Sequence, residues 1–105
     1  DYVDVRDAAR ALVLLGLRPG LSGRYNVCSG RAVRMSDVLR LTLASVRGPV
    51  RAALDPRLAR GAEVRALRGS HRRLTGATGW RPLIPLGRSV RDTVAWHRLR
   101  LREAA

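Results

Sequence analysis

Lysine is absent from this 105-residue sequence, so all 21 side chains of the Lys/Arg class are arginines. With only 8 acidic residues, the formal net charge is +13. A charge of this size points first to nucleic acid as a partner. The arginines are, however, spread along every segment and form no dense basic block of the kind found in nucleic-acid-binding arms. We attribute the arginine content mainly to a GC-rich coding sequence and keep an arginine-rich nucleic-acid-binding module as the alternative.

Cysteine and long apolar runs are also scarce. The single Cys28 excludes an internal disulfide framework and is typical of a cytoplasmic protein. No apolar run approaches the ~18 residues of a membrane span, so we expect no membrane partner. The start, DYVD, has neither an initiator methionine nor the basic region of a signal peptide, so we expect the chain to begin inside a longer protein. The length allows at most one small domain.

Helical periodicity is the main pattern that is present. Asp4 is a suitable N-cap for a first helix, with Arg6, Asp7 and Arg10 on its outer side. Its apolar residues at helical spacing should face the core: Val5, Ala8, Ala9, Leu12, Val13 and Leu15. A second helix has the clearest apolar repeat: Met35, Val38, Leu39, Thr42, Leu43 and Val46.

Two further helices are predicted in the C-terminal half. Ser70 can cap a short helix that runs through Leu74 and is followed by a glycine stop. A closing helix has one apolar face, at Leu86, Val90, Val94, His97 and Leu101. Its arginine flank we interpret as a solvated face: Arg91, Arg98 and Arg102.

One short β-strand is predicted, from Arg24 to Cys28, because glycines bound it on both sides. Cys28 has no histidine near it in the sequence, so we interpret it as a structural thiol and not as a nucleophile. His71 and His97 also lack a partner at catalytic or metal-binding spacing, and we predict no metal site.

The stretch from 55 to 82 contains the best candidates for ligand binding. Arg60 and Glu63 are three positions apart around Gly61, so both can face one ligand. A guanidinium group suits phosphate or ribose oxygens, and a carboxylate accepts from hydroxyl groups. From these residues alone, a solvated ion pair between the two is the commoner meaning of such spacing. Further along, Trp80 should anchor the loop that carries Arg60 to the core.

Four short motifs share an order and spacing that resembles a known family. They are DYVDVRD at 1–7, YNVCSG at 25–30, DP at 55–56 with RGAE at 60–63, and TGWRP at 78–82. Together they resemble the C-terminal part of the extended short-chain dehydrogenase/reductases, that is, the NAD-dependent epimerase/dehydratase family. Within it, the likeness is to the group of GDP-mannose 4,6-dehydratase and GDP-4-keto-6-deoxymannose reductase.

The resemblance implies an α/β fold. Residues 1–105 would be the C-terminal, substrate-binding segment of an extended Rossmann-type nucleotide-sugar enzyme, mainly helical with short strands. The dinucleotide-binding βαβ core and its N-terminal cofactor domain would lie outside the chain. The family's pyrophosphate-binding arginine would fall just before Asp1, so Asp1 and Tyr2 should be structural. The sequence has no glycine-rich strand-to-helix turn and no Tyr-x-x-x-Lys pair, so we predict no catalytic and no cofactor-binding residue.

The implied function is that of the nucleotide-sugar-binding portion of an NAD(P)-dependent dehydratase or reductase, with Arg60 and Glu63 holding the nucleotide. A UDP- or dTDP-sugar epimerase is a further alternative. NAD(P) would bind outside this segment, and the segment alone would be inactive. The implied partners are a GDP-sugar, the N-terminal Rossmann domain and other copies in a homo-oligomer, in the cytoplasm.

Overall fold

The chain folds into helices joined by long irregular segments. The computed structural model describes residues 1–58 and 64–104. Within these ranges the helices are α1 (Val5–Gly16), α2 (Met35–Ser45), α3 (Arg72–Thr78) and α4 (Leu86–Glu103), with a 3₁₀ turn at Pro56–Leu58. No helix in this part of the chain combines the length and hydrophobicity needed to cross a bilayer.

Helix α1 begins as predicted but buries a different face. The Asp4 carboxylate accepts a hydrogen bond from the Arg6 N–H at 2.9 Å and so caps the helix. Asp7 and Ala11 are the buried residues of α1, whereas Val5 is 77% and Leu12 is 67% exposed. The prediction of its inward face was therefore wrong. The physical reason is that the Asp7 carboxylate faces inward to accept two backbone N–H groups, which turns the apolar side of α1 toward the surface.

The core lies where α1 packs against α3. Ala11, Leu74 and Trp80 are fully buried there. Partly buried apolar residues surround them: Val3, Leu14, Leu15, Tyr25 and Val27. The Trp80 Nε1–H donates to the carbonyl oxygen of Asp7 at 2.9 Å, so the indole satisfies its one polar atom while it fills the core.

Helix α3 begins one residue later than predicted. Its N-cap residue is His71, so the capping role predicted for Ser70 was wrong, whereas the helix runs through Leu74 to Thr78 and stops at a glycine as predicted. Asp1 and Asn26 hold the backbone at residues 69 and 70, which delays the first helical turn. Gly79 follows the helix with φ 73°, the left-handed conformation in which a glycine ends a helix without strain.

The predicted strand from Arg24 to Cys28 is absent, and no other strand occurs in the described ranges. A strand needs a neighbouring backbone to complete its hydrogen bonds, and these residues meet side chains instead. The Arg73 guanidinium stacks over the Tyr25 ring at 4.8 Å, and Val27 packs against the core. Residues 24–28 are thus held in place by side-chain packing and not by the backbone hydrogen bonds of a β-sheet.

Helices α2 and α4 pack against each other as a second pair. Gly87 of α4 lies against α2, where an added Cβ would sit 3.7 Å from the Leu41 Cδ2. A salt bridge of 2.8 Å between Arg6 and Asp92 joins this pair to α1. Tyr2 adds a contact from its hydroxyl to the Met35 sulfur at 2.9 Å.

Candidate functional site

Arg60 and Glu63 lie outside the described residues, but the sequence on either side of them is described. Before them, the Asp55 carboxylate accepts the Arg57 N–H at 3.0 Å and pairs with its guanidinium at 2.8 Å. This bond from the Arg57 side chain lowers the pKa of Asp55 from its ordinary value. Asp55 is therefore occupied as the cap of the 3₁₀ turn.

Asp1 fastens three segments of the chain together. One carboxylate oxygen accepts the N–H and the hydroxyl of Ser29, at 2.8 and 2.7 Å. The other accepts the N–H groups of Gly30 and Gly69, at 2.9 and 3.1 Å. The interpretation of Asp1 as a structural residue is consistent with these four bonds, because its acceptor capacity is used within the chain.

Gly69 sits so close to Cys28 that no other residue fits without movement. A Cβ at Gly69 would lie 2.6 Å from the Cys28 sulfur and 2.9 Å from its Cβ. The thiol is partly buried and lies against Gly69. Cys28 is therefore a packing residue at this junction.

Two buried carboxylates organise the helices. Burial alone would raise the pKa of Asp7, but hydrogen bonds from Arg10 and from the N–H groups of Ile84 and Leu83 outweigh it and hold the pKa below its ordinary value. The hydrogen bond from the Arg6 side chain, opposed by burial, likewise holds the pKa of Asp4 well below its usual range. Both carboxylates stay ionised at neutral pH and serve as structural acceptors, not as acid–base catalysts.

An apolar cleft of about 390 Å³ opens between the start of the chain, α2 and α4. Its walls include Val3, Val38, Ile84, Val90 and Val94, with His97 at one side. The Thr42 and Thr93 hydroxyls that line it already donate to carbonyl oxygens of their own helices, at 2.9 and 2.8 Å. The cleft is thus mainly apolar, and these two hydroxyls are engaged within their own helices.

His71 has a packing role. Its Nδ1 lies 2.9 Å from the Thr75 hydroxyl, and its ring meets the Trp80 ring edge-on at 5.5 Å between centroids. Across residues 1–58 and 64–104, no three metal-ligating side chains come together.

The described residues do not fit a dinucleotide. Such a cofactor needs a glycine turn that follows a strand and opens a helix, so that backbone N–H groups face its phosphates. The glycines with positive φ lie in loops or after helices: Gly20, Gly23, Gly30, Gly48 and Gly79. In the described ranges none of them joins a strand to a helix.

Comparison with known proteins bears out the sequence resemblance to the C-terminal part of the extended short-chain dehydrogenase/reductases. The chain is 36% identical over 104 residues to GDP-6-deoxy-D-mannose reductase from Pseudomonas aeruginosa. The match covers 98% of this chain and 34% of that relative's length. No family model matches the chain.

A solved structure of a protein from the same organism also matches this chain. It is described as RMD from Pseudomonas aeruginosa complexed with NADPH, and it matches with a TM-score of 0.75 and 35% identity. The match covers 87% of this chain and 30% of that one. The helical arrangement described above is therefore also found as part of a longer, Rossmann-type protein.

Proposed function

We propose that this chain is the substrate-binding portion of an NADPH-dependent reductase that acts on a GDP-linked 6-deoxy sugar. The observation that carries the proposal is the 36% identity to a GDP-6-deoxy-D-mannose reductase over 98% of the chain. A reductase is favoured over the dehydratase of the same group because the similar protein is a reductase. The reaction would transfer a hydride from the nicotinamide to a keto group at C4 of the sugar.

The proposal places residues 1–105 at the C-terminal end of a longer enzyme. Because the chain spans 34% of the relative's length, about two thirds of such an enzyme would lie outside it. The described residues lack a dinucleotide cradle, so NADPH would bind in that other part. The dehydrogenase chemistry would then depend on residues that this chain does not supply.

In this proposal Arg60 and Glu63 bind the nucleotide part of the substrate. The family resemblance of the segment RGAE supports the assignment. In the described sequence on either side of this segment, Asp55 pairs with Arg57, and Gly69 donates to Asp1. A guanidinium and a carboxylate in this segment would bind phosphate oxygens and ribose hydroxyls respectively.

Replacing Arg60 in the full-length enzyme tests the assignment. Arg60→Ala should raise KM for the GDP-sugar by roughly ten- to hundredfold, because a charge-assisted hydrogen bond is worth about 1.5–3 kcal/mol. The value of kcat should be nearly kept, since the nucleotide is held equally in the ground and transition states. Glu63→Gln should have a smaller effect of the same kind, because the amide still accepts one bond. Steady-state rates of NADPH oxidation measure both constants.

Arg57→Ala is the matched control. Arg57 lies three residues before Arg60. Its side chain is 89% exposed and pairs with Asp55, so its loss should leave KM unchanged. An unchanged KM for Arg60→Ala, with equal losses of melting temperature for Arg60→Ala and Glu63→Gln, would show a local ion pair and would rule out the binding role.

A further inference from the structure

Three arginines line one small cleft at the C-terminal ends of α2 and α4. The cleft has a volume of about 290 Å³ and is bounded by Arg47, Arg98, Leu101 and Arg102. Arg98 and Arg102 are four residues apart and therefore share a face of α4. Arg47 directly follows Val46, the C-cap residue of α2. The packing of α2 against α4 thus brings three positive charges to one concave surface.

Some of the described arginines are bound by acceptors within the chain, whereas the three that line the cleft are not. Arg6 and Arg57 pair with carboxylates, and Arg10 and Arg18 donate to backbone carbonyl oxygens. Across residues 1–58 and 64–104, neither a carboxylate nor a carbonyl group accepts from Arg47, Arg98 or Arg102. The guanidinium donors that line the cleft are therefore available to a ligand.

Four described carboxylates are used elsewhere, and Glu103 at the end of α4 does not line the cleft. Asp1 accepts from loop backbone, and Asp4 and Asp7 are buried with their own arginines. Asp92 pairs with Arg6 and lies 3.8 Å from Arg88. Like charges that share a cleft repel one another, so a bound anion would relieve that repulsion.

Arginine near a helix C-terminus is also explained by the helix dipole, which attracts a positive charge. In that case the guanidinium groups would be expected to donate to carbonyl groups in the last turn of a helix. Arg18, which follows α1, does this for α3 by donating to the carbonyl oxygen of Ala77 at 2.7 Å. Arg98 and Arg102 make no such bond in the described part of α4, and they line the shared cleft instead. The dipole alone therefore does not account for the arrangement.

We propose that Arg47, Arg98 and Arg102 form a binding site for a small diphosphate-bearing anion. The planar fork of each guanidinium matches two phosphate oxygens, and three such groups balance the charge of a diphosphate. A cleft of this volume admits a group larger than one phosphate, and Leu101 gives it an apolar wall. The site is built from residues other than Arg60 and Glu63 and does not depend on the proposed reductase activity. The diphosphate is either inorganic pyrophosphate or part of a nucleotide.

Calorimetric titration with inorganic pyrophosphate at constant ionic strength tests the site. We expect one saturable event, and Arg98→Gln and Arg102→Gln should each weaken it about tenfold, because each removes a charge-assisted partner. A second titration with a nucleoside diphosphate distinguishes the two sources. Equal affinity identifies the diphosphate alone as the ligand, and a tighter complex indicates a nucleotide.

Arg91→Gln provides the matched control. Arg91 is an exposed arginine of the same helix that does not line the cleft, so its loss removes the same charge without removing a ligand contact. Its affinity for pyrophosphate should stay within about twofold of the wild type. Circular dichroism checks that every variant keeps its helical content. Equal weakening by Arg91→Gln and Arg98→Gln, or an absence of saturation in the wild type, would overturn the proposal.

Discussion

At the scale of single residues, the chain depends on carboxylates that accept backbone N–H groups from distant segments. Asp7 is the clearest case, because one of its oxygens accepts from Leu83 and Ile84, both at 2.8 Å. Its side chain is 2% exposed, so water cannot replace these bonds. The carboxylate fixes the path of the chain between α3 and α4.

Asp7→Asn should therefore destabilise the fold by about 1–3 kcal/mol, because the amide presents an N–H group where an acceptor is needed. Urea unfolding at pH 7 measures the loss. Asp37→Asn is the control, since Asp37 forms an exposed pair with Arg40 at 3.3 Å, and its loss should cost at most about 0.5 kcal/mol. Equal effects of the two substitutions would contradict a special role for Asp7.

The lowered pKa of Asp7 also determines how the stability difference between wild type and Asp7→Asn depends on pH. Since the folded-state pKa lies below the unfolded value of about 3.9, the stabilisation by Asp7 is complete above that pH. It is lost as the pH falls through the folded-state pKa. The gap in stability between wild type and Asp7→Asn should thus be constant from pH 7 to 5 and shrink below pH about 4. A gap that widens in acid would contradict the assignment.

Some residue roles could be predicted from the sequence because the hydrogen-bond partner is close along the chain. Others could not be predicted because the partner is far away along the chain. Asp4 was recognised as a cap because the donor that it accepts from, the Arg6 N–H, is two residues away. The burial of Asp7 was missed because its partners lie 76 and 77 residues further on. Arg60 and Glu63 were selected by their residue types and spacing, their nucleotide-binding role came from the family resemblance, and that role stays a prediction.

At the scale of elements, the periodicity of the sequence predicted where the helices lie, but it did not predict which face of α1 is buried. Apolar spacing located α1, α2 and α4, yet α1 turns Asp7 and not Val5 toward the core. The strand prediction at 24–28 failed for a related reason, because a strand is completed by a partner that local sequence does not reveal.

Gly76 within α3 and Gly79 directly after it should change the stability of the fold in opposite directions when each is replaced by alanine. Gly76 lies inside the helix with open space around its Cβ position, so Gly76→Ala should stabilise the fold by roughly 0.5–1 kcal/mol. Gly79 has φ 73°, where an added Cβ is strained, so Gly79→Ala should destabilise it by about 1 kcal/mol or more. Thermal melting of the two variants side by side measures both changes. A loss in both variants would mean that propensity within α3 does not limit stability.

At the scale of the whole molecule, much apolar surface is exposed. Val5, Leu12 and Leu17 are 77%, 67% and 74% exposed along α1, and Leu99 and Leu101 are 58% and 72% exposed on α4. Fully buried apolar residues are far fewer, since only Ala11, Leu74 and Trp80 form the central cluster of the described residues. A surface of this kind is typical of a segment that packs against another protein surface.

We therefore expect the isolated 105-residue chain to self-associate or to melt with low cooperativity. Covering exposed apolar side chains with a second surface lowers the free energy. The small core contributes little stability of its own. Sedimentation over a concentration range, combined with a thermal scan, measures both properties. A sharp, cooperative transition of a monomer at every concentration would refute the expectation.

The burial of Trp80 has a consequence for spectroscopy. The chain has two tryptophans, of which Trp80 is 0% and Trp96 is 52% exposed. Trp80 is shielded by the packing of α1 on α3 and is bonded to the Asp7 carbonyl, whereas Trp96 stacks under Arg100 at the surface of α4. The short-wavelength part of the native emission thus originates at Trp80, and a soluble quencher reaches Trp96 first. One fluorophore reports on the α1–α3 core and the other on α4, so a single emission spectrum can separate the loss of the two helix pairs.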